Sequence, residues 1–198
     1  MINKIREILQ SESEAIFNIP LDNPYSGVVD LIYNRVHGQG GKLICSGMGK
    51  AGQIALNMAT TFSSTGTCAV YLHPSEAQHG DLGILRSNDV LLLISNSGKT
   101  REIVELITLS KNLHPDMPVI CITGQFTSPL AIQSDLMLYT GKTEEVCPLG
   151  LTPTVSTTVM TVIGDILVVL LMEKIGFTKE HYALRHHSGY LGEKSRQK

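Results

Sequence analysis

Two segments of the chain carry residue types suited to holding an anion. Ser95-Asn96-Ser97-Gly98-Lys99-Thr100 follows an apolar run and leads straight into a helical pattern. Hydroxyl side chains donate hydrogen bonds there, and the unpaired N–H groups of a helix's first turn point at whatever stands in front of it. The helix dipole adds roughly half a positive charge at that end. Ser97 or Thr100 could instead simply cap the helix. A cap needs one hydroxyl and this loop has three, on Ser95, Ser97 and Thr100, which favours a phosphate cradle. The nucleotide-binding spacing G-x-x-x-x-G-K-[ST] is absent. The second segment, Ser46-Gly47-Met48-Gly49-Lys50-Ala51-Gly52, fits G-x-G-x-x-G. The acidic residue that a dinucleotide's ribose needs after the next strand is missing, because His73 and Pro74 stand there. The alternative is that the glycines let the backbone approach a smaller ligand. Lys50 would then neutralise a phosphate or polarise a carbonyl oxygen, unless it is a solvated surface lysine.

Further along, His73-Pro74-Ser75-Glu76-Ala77-Gln78-His79-Gly80-Asp81 sets His79 among small and polar residues. An imidazole titrating near ~6.5 suits acid/base work, although a lone histidine is more often structural. Glu102 opens the helix after the hydroxyl loop, where a carboxylate also stabilises the dipole. Glu145, in Glu144-Glu145-Val146-Cys147-Pro148, follows the fifth apolar run, where a carboxylate faces the same end of a sheet. His186 and His187 lie in a glycine-bearing tail, residues 184–192, whose composition says little.

The elements that must position these residues alternate. Helical spacing of apolar residues covers Ile5 to Ile16, with Pro20 as a stop, and again residues 25–37, closed by Gly38-Gln39-Gly40-Gly41. Short apolar runs at 42–46, 68–72, 89–95, 118–122 and 136–139 read as strands. Between them, helices are expected at 51–65, 101–113 and 129–132, with a loop and short helix near 76–81. A polar loop spans 140–153 and a long helix runs to about 175. Strands apolar throughout and alternating with helices indicate a parallel sheet covered on both faces. Right-handed crossovers divide the helices between those faces. No linker, repeat or low-complexity stretch appears, so residues 1–198 read as one domain. Ligands of such sheets bind outside the carboxyl ends of the strands, where all the segments above fall.

Composition narrows the class. The 198 residues carry a formal net charge of -2, and no long basic run supplies the footprint of a nucleic-acid binder. The basic tail Lys194-Ser195-Arg196-Gln197-Lys198 is short and reads as a frayed terminus. Cys45, Cys68, Cys121 and Cys147 form no C-x-x-C pair, so neither a disulfide framework nor a zinc site is expected. Three of them lie in or beside apolar runs and read as small buried hydrophobes. Reduced cysteines and an N-terminus without an apolar leader fit a cytoplasmic protein. The apolar stretch 159–172 carries Asp165 and reads as a buried or interfacial helix, too short for a membrane span.

The motifs together resemble a known family. Gly47-Met48-Gly49-Lys50, Ser63-Ser64-Thr65-Gly66-Thr67, the His73 to Gly83 segment and Ser95-Asn96-Ser97-Gly98 look like the sugar isomerase (SIS) domain. Cys147-Pro148-Leu149-Gly150-Leu151, with Pro153 and Ser156-Thr157-Thr158, is similar to the arabinose 5-phosphate isomerase group within it. The resemblance runs from about Lys42 to Gly192. It implies a doubly wound, five-stranded parallel sheet of flavodoxin-like α/β type, assembled as a homotetramer. It implies interconversion of D-ribulose 5-phosphate and D-arabinose 5-phosphate through an enediol, without a cofactor or metal, feeding Kdo synthesis for lipopolysaccharide or capsule. Active-site roles would fall on Lys50, His79, Glu102, Glu145 and His186, and phosphate contacts on Ser46, Ser95, Ser97 and Thr100. His79 is the first choice for the base, with Glu102 or Glu145 second, while Lys50 and His186 would bind the C1 and C2 oxygens. His186 could come from a neighbouring subunit. Members of the group carry a paired CBS module after this domain. Here the chain stops at Lys198, so the chemistry is expected without regulation through that module. His186-His187-Ser188-Gly189 replaces the group's H-P-G-G, and Lys99 stands where many relatives have an acid. Two rival readings are an isomerase of another sugar phosphate, such as sedoheptulose 7-phosphate or a hexulose 6-phosphate, and a non-catalytic sugar-phosphate sensor. The sensor reading usually brings a basic DNA-binding segment, which is absent before the first strand.

Overall fold

A computed structural model describes residues 1–196. The strands are β1 (Leu43–Gly47), β2 (Ala69–Tyr71), β3 (Val90–Ile94), β4 (Val119–Thr123) and β5 (Leu136–Tyr139). They form one parallel sheet in the order β2-β1-β3-β4-β5. The reversal of winding at β1 and β3 opens a crevice beyond their carboxyl ends.

Every residue of β1, β3 and β4 is buried, as parallel strands covered on both faces must be. The two-residue period sorts their side chains. Leu43, Cys45, Val90, Leu92, Ile94, Ile120 and Ile122 join a core with the helices of one face: α1 (Ile2–Phe17), α2 (Tyr25–Ile32), α3 (Gly49–Ser64) and α7 (Val155–Lys174). Ile44, Leu91, Leu93, Val119 and Cys121 join the other core, against α4 (Pro74–Ala77), α5 (Arg101–Leu113) and α6 (Pro129–Gln133). Two short helices close the described chain, α8 (Lys179–Ala183) and α9 (Gly189–Arg196).

Several readings of the sequence need adjustment. The second helix does not stay α-helical to residue 37, because α2 widens into a π turn over Tyr33–Gly38. That turn ends where the Gly41 amide donates to the Arg35 carbonyl at 3.0 Å. Cys68 is exposed, so only Cys45 and Cys121 behave as buried hydrophobes. Desolvation raises the Cys121 thiol to about 11, with a Ser134 contact pulling the other way, and raises Cys45 further. The glycine-bearing tail is structured, and the basic run is helical through Arg196. Gln197 and Lys198 lie outside the described residues. The apolar stretch is a helix of 20 residues, long and apolar enough to span a membrane by length and composition. Its buried side chains, among them Val159, Ile163, Leu167 and Leu171, are spent on the core with α1 and α3.

Candidate active site

Beyond the carboxyl ends of β1 and β3 lies a cavity of about 370 Å³. Three helices begin at it, and their first residues line it: Lys50 and Ala51 from α3, Thr100 before α5, and Ser156 and Thr157 from α7. The β3–α5 loop contributes Ser95, Asn96 and Ser97, and the loop before α7 contributes Glu145, Gly150, Leu151 and Pro153.

The α3 start depends on glycine. Gly49 sits at φ +57, a conformation that L side chains rarely adopt. A Cβ on Gly47 would lie 2.7 Å from the Ala51 carbonyl group, and one on Gly52 would lie 2.6 Å from the Gly47 carbonyl oxygen. The glycines thus bring the helix tightly onto β1 and leave Lys50 at the cavity. The Met48 N-cap offers no side-chain bond, so the first-turn amides of α3 are left open.

The β3–α5 loop is held from behind. The Ser95 and Thr100 hydroxyls are 2.8 Å apart, and the Gly98 amide donates to Ser95 Oγ at 3.1 Å. Gly98 is at φ +60, and a Cβ there would collide with Ser128 Oγ at 2.0 Å. The Asn96 carbonyl accepts the Gly124 amide at 3.0 Å, and the Gly98 carbonyl accepts the Leu130 amide at 3.1 Å. The loop is therefore fixed to β4 and α6. The alternative of simple capping by Ser97 or Thr100 does not hold, since α5 has no side-chain cap. Ser97 Oγ instead accepts the Lys99 amide at 3.2 Å. The result is an exposed, preorganised and uncapped helix start, suited to an anion.

The α7 start is different. Glu145 Oε2 accepts the Thr154 amide at 2.7 Å, the Thr154 hydroxyl at 2.9 Å and the Ser156 amide at 3.4 Å. Its Oε1 accepts the Ser156 hydroxyl. Burial pushes this carboxyl up, but the donors outweigh it, the Ser156 hydroxyl first and then the Thr154 amide and hydroxyl. The net result holds Glu145 below the usual carboxylate range, so it stays ionised and closes the amino end of α7. Nearby, Cys147 Sγ accepts the Thr152 amide at 3.1 Å and the Leu151 amide at 3.3 Å. Thr152, through its amide and then its hydroxyl, draws that thiol down to about 7.

Of the residues singled out by sequence, the cavity gathers Lys50, Ser95, Ser97, Thr100 and Glu145. Ser46 is fully buried and donates its hydroxyl to the Leu72 carbonyl at 2.6 Å, so it does not line the cavity. His79 is exposed in the turn after α4, and Glu102 is half-buried in the first turn of α5; neither lines the cavity. His186 stands in the connection between α8 and α9. This C-terminal segment is anchored by Phe177, whose ring packs where a Cβ on Gly66 would be, 2.9 Å away. Gly66 follows the far end of α3, about 20 Å from Lys50 along the helix. Asn96, Thr157 and Met160 also line the cavity and were not read as site residues. The hydroxyl run Thr152 to Thr158 at a helix start was the available signal for Thr157. Among the described residues, no group of three His, Cys, Asp or Glu side chains could hold a metal ion.

Residues 38–170 match the model of the SIS domain. The chain belongs to that family. It is 44% identical over 189 residues to the arabinose 5-phosphate isomerase KdsD of Salmonella typhi, covering 96% of this chain and 56% of the relative. The Pseudomonas aeruginosa KdsD is 45% identical over 152 residues, covering 77% of this chain and 46% of that protein. The chain thus spans about half the length of the curated relatives it matches. Among solved structures, a Bacteroides fragilis protein described as a phosphosugar isomerase involved in capsule formation superposes with a TM-score of 0.94. It shares 63% identity and covers 96% of this chain and 99% of its own. A protein of E. coli CFT073 solved in complex with arabinose 5-phosphate superposes at 0.83 with 37% identity, covering 93% of this chain and 96% of its own. The SIS fold and its five-stranded parallel sheet are common to this chain and these structures.

Proposed function

We propose that this SIS domain, residues 1–198, is a cofactor-free aldose–ketose isomerase that interconverts D-ribulose 5-phosphate and D-arabinose 5-phosphate. The observation that carries the reading is the uncapped start of α5 facing the same cavity as Lys50. The KdsD relatives and the arabinose 5-phosphate complex of a related structure support the choice of substrate. The described role of the Bacteroides fragilis relative in capsule formation agrees with a product used for Kdo, in lipopolysaccharide or capsule. A cytoplasmic location fits the free state of all four cysteines.

In this reading the phosphate binds Ser95, Ser97, Thr100 and the open amides of α5. Anchoring that end keeps the reacting carbons at a constant distance from the catalytic groups. Lys50 stabilises the charge that develops on the enediolate oxygen. Glu145 is not free to shuttle a proton, because four donor groups hold its carboxylate. The carbon-bound proton is then moved by His79, with Glu102 next in line. Ser46 acts from behind, fixing the end of β1 to that of β2.

His186 reaches a neighbour's cavity through assembly. A homotetramer is supported by apolar side chains left uncovered: Ile2, Ile5 and Leu9 on α1 are 73%, 50% and 63% exposed, and Val169 on α7 is 52% exposed. In such an assembly the C-terminal segment of one subunit enters a neighbour's site and brings His186.

The test is to follow the purified protein with D-ribulose 5-phosphate by NMR in D₂O without added metal. Conversion to D-arabinose 5-phosphate with deuterium at C2 is expected. Binding of a pentose phosphate without conversion would overturn the isomerase reading in favour of a sensor.

A further inference from the structure

His186 is held in an unusual way. Its ring lies parallel to that of Tyr182, with centroids 3.7 Å apart and 4° between the planes. Its Nδ1 is 3.1 Å from the Tyr182 carbonyl oxygen, which also accepts the His186 backbone amide at 3.1 Å. A carbonyl oxygen only accepts, so Nδ1 carries the hydrogen in that contact. In a neutral imidazole this leaves Nε2 bare, with its lone pair directed away from the carbonyl.

The support continues beneath the pair. Tyr182 meets the Phe177 ring edge-on at 6.4 Å, and the Arg185 guanidinium lies 5.4 Å from the centre of that ring. On the other side, Arg196 Nη1 donates to the His186 carbonyl at 3.3 Å. Ring, tautomer and backbone of His186 are thus fixed by groups outside the cavity of their own subunit.

We infer that Tyr182 is a positioning residue: its ring and carbonyl hold His186 as the Nδ1–H tautomer and present a bare Nε2. The inference rests on the isomerase reading for its consequence. Conversion of the ketose removes a proton from O1 and adds one to O2. A bare Nε2 accepts the O1 proton as the O1–H bond breaks and returns it as the O2–H bond forms, so the imidazole ends as it began. A histidine protonated at Nε2 would have to give up its proton before it could take one.

The test uses the full chain with ¹⁵N-labelled histidine, at a pH where the imidazole is neutral, with His186→Gln to assign the signal. Two-bond ¹H–¹⁵N spectra should show His186 with Nδ1 protonated and Nε2 bare. Tyr182→Phe, which keeps the stack and the carbonyl, should retain that spectrum. Tyr182→Leu, which keeps the carbonyl but removes the stack that aims Nδ1 at it, should give mixed tautomers and lower kcat at least about tenfold while KM for the sugar phosphate holds. An Nε2–H tautomer in the parent protein overturns the inference. So does a Tyr182→Leu variant with unchanged spectrum and kcat. If that variant fails to fold, the parent and Tyr182→Phe spectra decide. The spectra do not depend on turnover, so absence of isomerase activity beside a bare Nε2 would count against the function and not against the tautomer.

Discussion

Helices α5 and α7 begin at the same cavity, and both begin among hydroxyl residues, yet only one is open. At α5 the Ser95 and Thr100 hydroxyls meet each other, Ser97 Oγ accepts the Lys99 amide and keeps its own hydrogen to donate, and no side chain caps the helix. At α7 the Glu145 carboxylate accepts both the Thr154 and Ser156 amides. A helix start attracts anions through its free amides and its dipole. One that already holds a carboxylate has neither to offer. Hydroxyl content therefore does not identify a phosphate site. What decides is whether the protein brings its own anion to the helix.

The largest effect tests the consequence for proton transfer. If Glu145 is locked and His79 is the shuttle, His79→Asn should lower kcat about 10²- to 10⁴-fold with the fold intact. Near-parental turnover in a folded variant would remove His79 from the mechanism. Mixing that variant with His186→Gln should restore part of the activity if sites are shared between subunits. No rescue after proven subunit exchange would count against shared sites.

Next comes the closed end itself. Glu145→Ala should destabilise the protein by about 1–3 kcal/mol, because it strands the donors gathered on a charged acceptor. Chemical denaturation would measure this. The folded-state pKa of Glu145 is depressed, so its stabilising contribution is complete above the ordinary carboxylate pKa near ~4.3. It is lost as the pH falls through the lower folded value. The gap between parent and Glu145→Gln should therefore narrow on acidification. A gap that widens towards low pH would contradict the ionised cap.

The open end should respond in binding. Ser97→Ala removes one exposed hydroxyl and should raise KM for the sugar phosphate by roughly 2- to 10-fold, the worth of a single hydrogen bond, with kcat little changed. The smallest effect concerns the loop between the two regions. Cys147, held near a pKa of about 7 by Thr152 and Leu151, should react with iodoacetamide at a rate that rises through that pH. A rate that rises only above about pH 8, as for an ordinary thiol, would show that the loop does not hold the group this way.

The open end was largely legible in the sequence and the closed one was not. Apolar runs without alternation marked β1, β3 and β4 as covered on both faces, and that placed Ser95 to Thr100 and Lys50 at the carboxyl ends of their strands, while the adjacency of β1 and β3 came from the fold. The bonds that close α7 join residues 9 and 11 positions apart across an irregular loop, and no periodicity records them. Glu145 was thus read as a carboxylate facing the site, without its partners. The same limit hid α8 and α9, whose order comes from ring contacts such as Tyr182 with His186 and Phe177 against Gly66. Cys68 misled for a simpler reason: it precedes β2, and the burial of that run begins one residue later at Ala69.

The most direct measurement is a backbone amide NMR titration of the assigned protein with inorganic phosphate. The open α5 end predicts shifts at Gly98 to Glu102, with Ser156 and Thr157 unmoved. Shifts at Ser156 and Thr157 with residues 98–102 silent would place the anion at α7 and contradict the account.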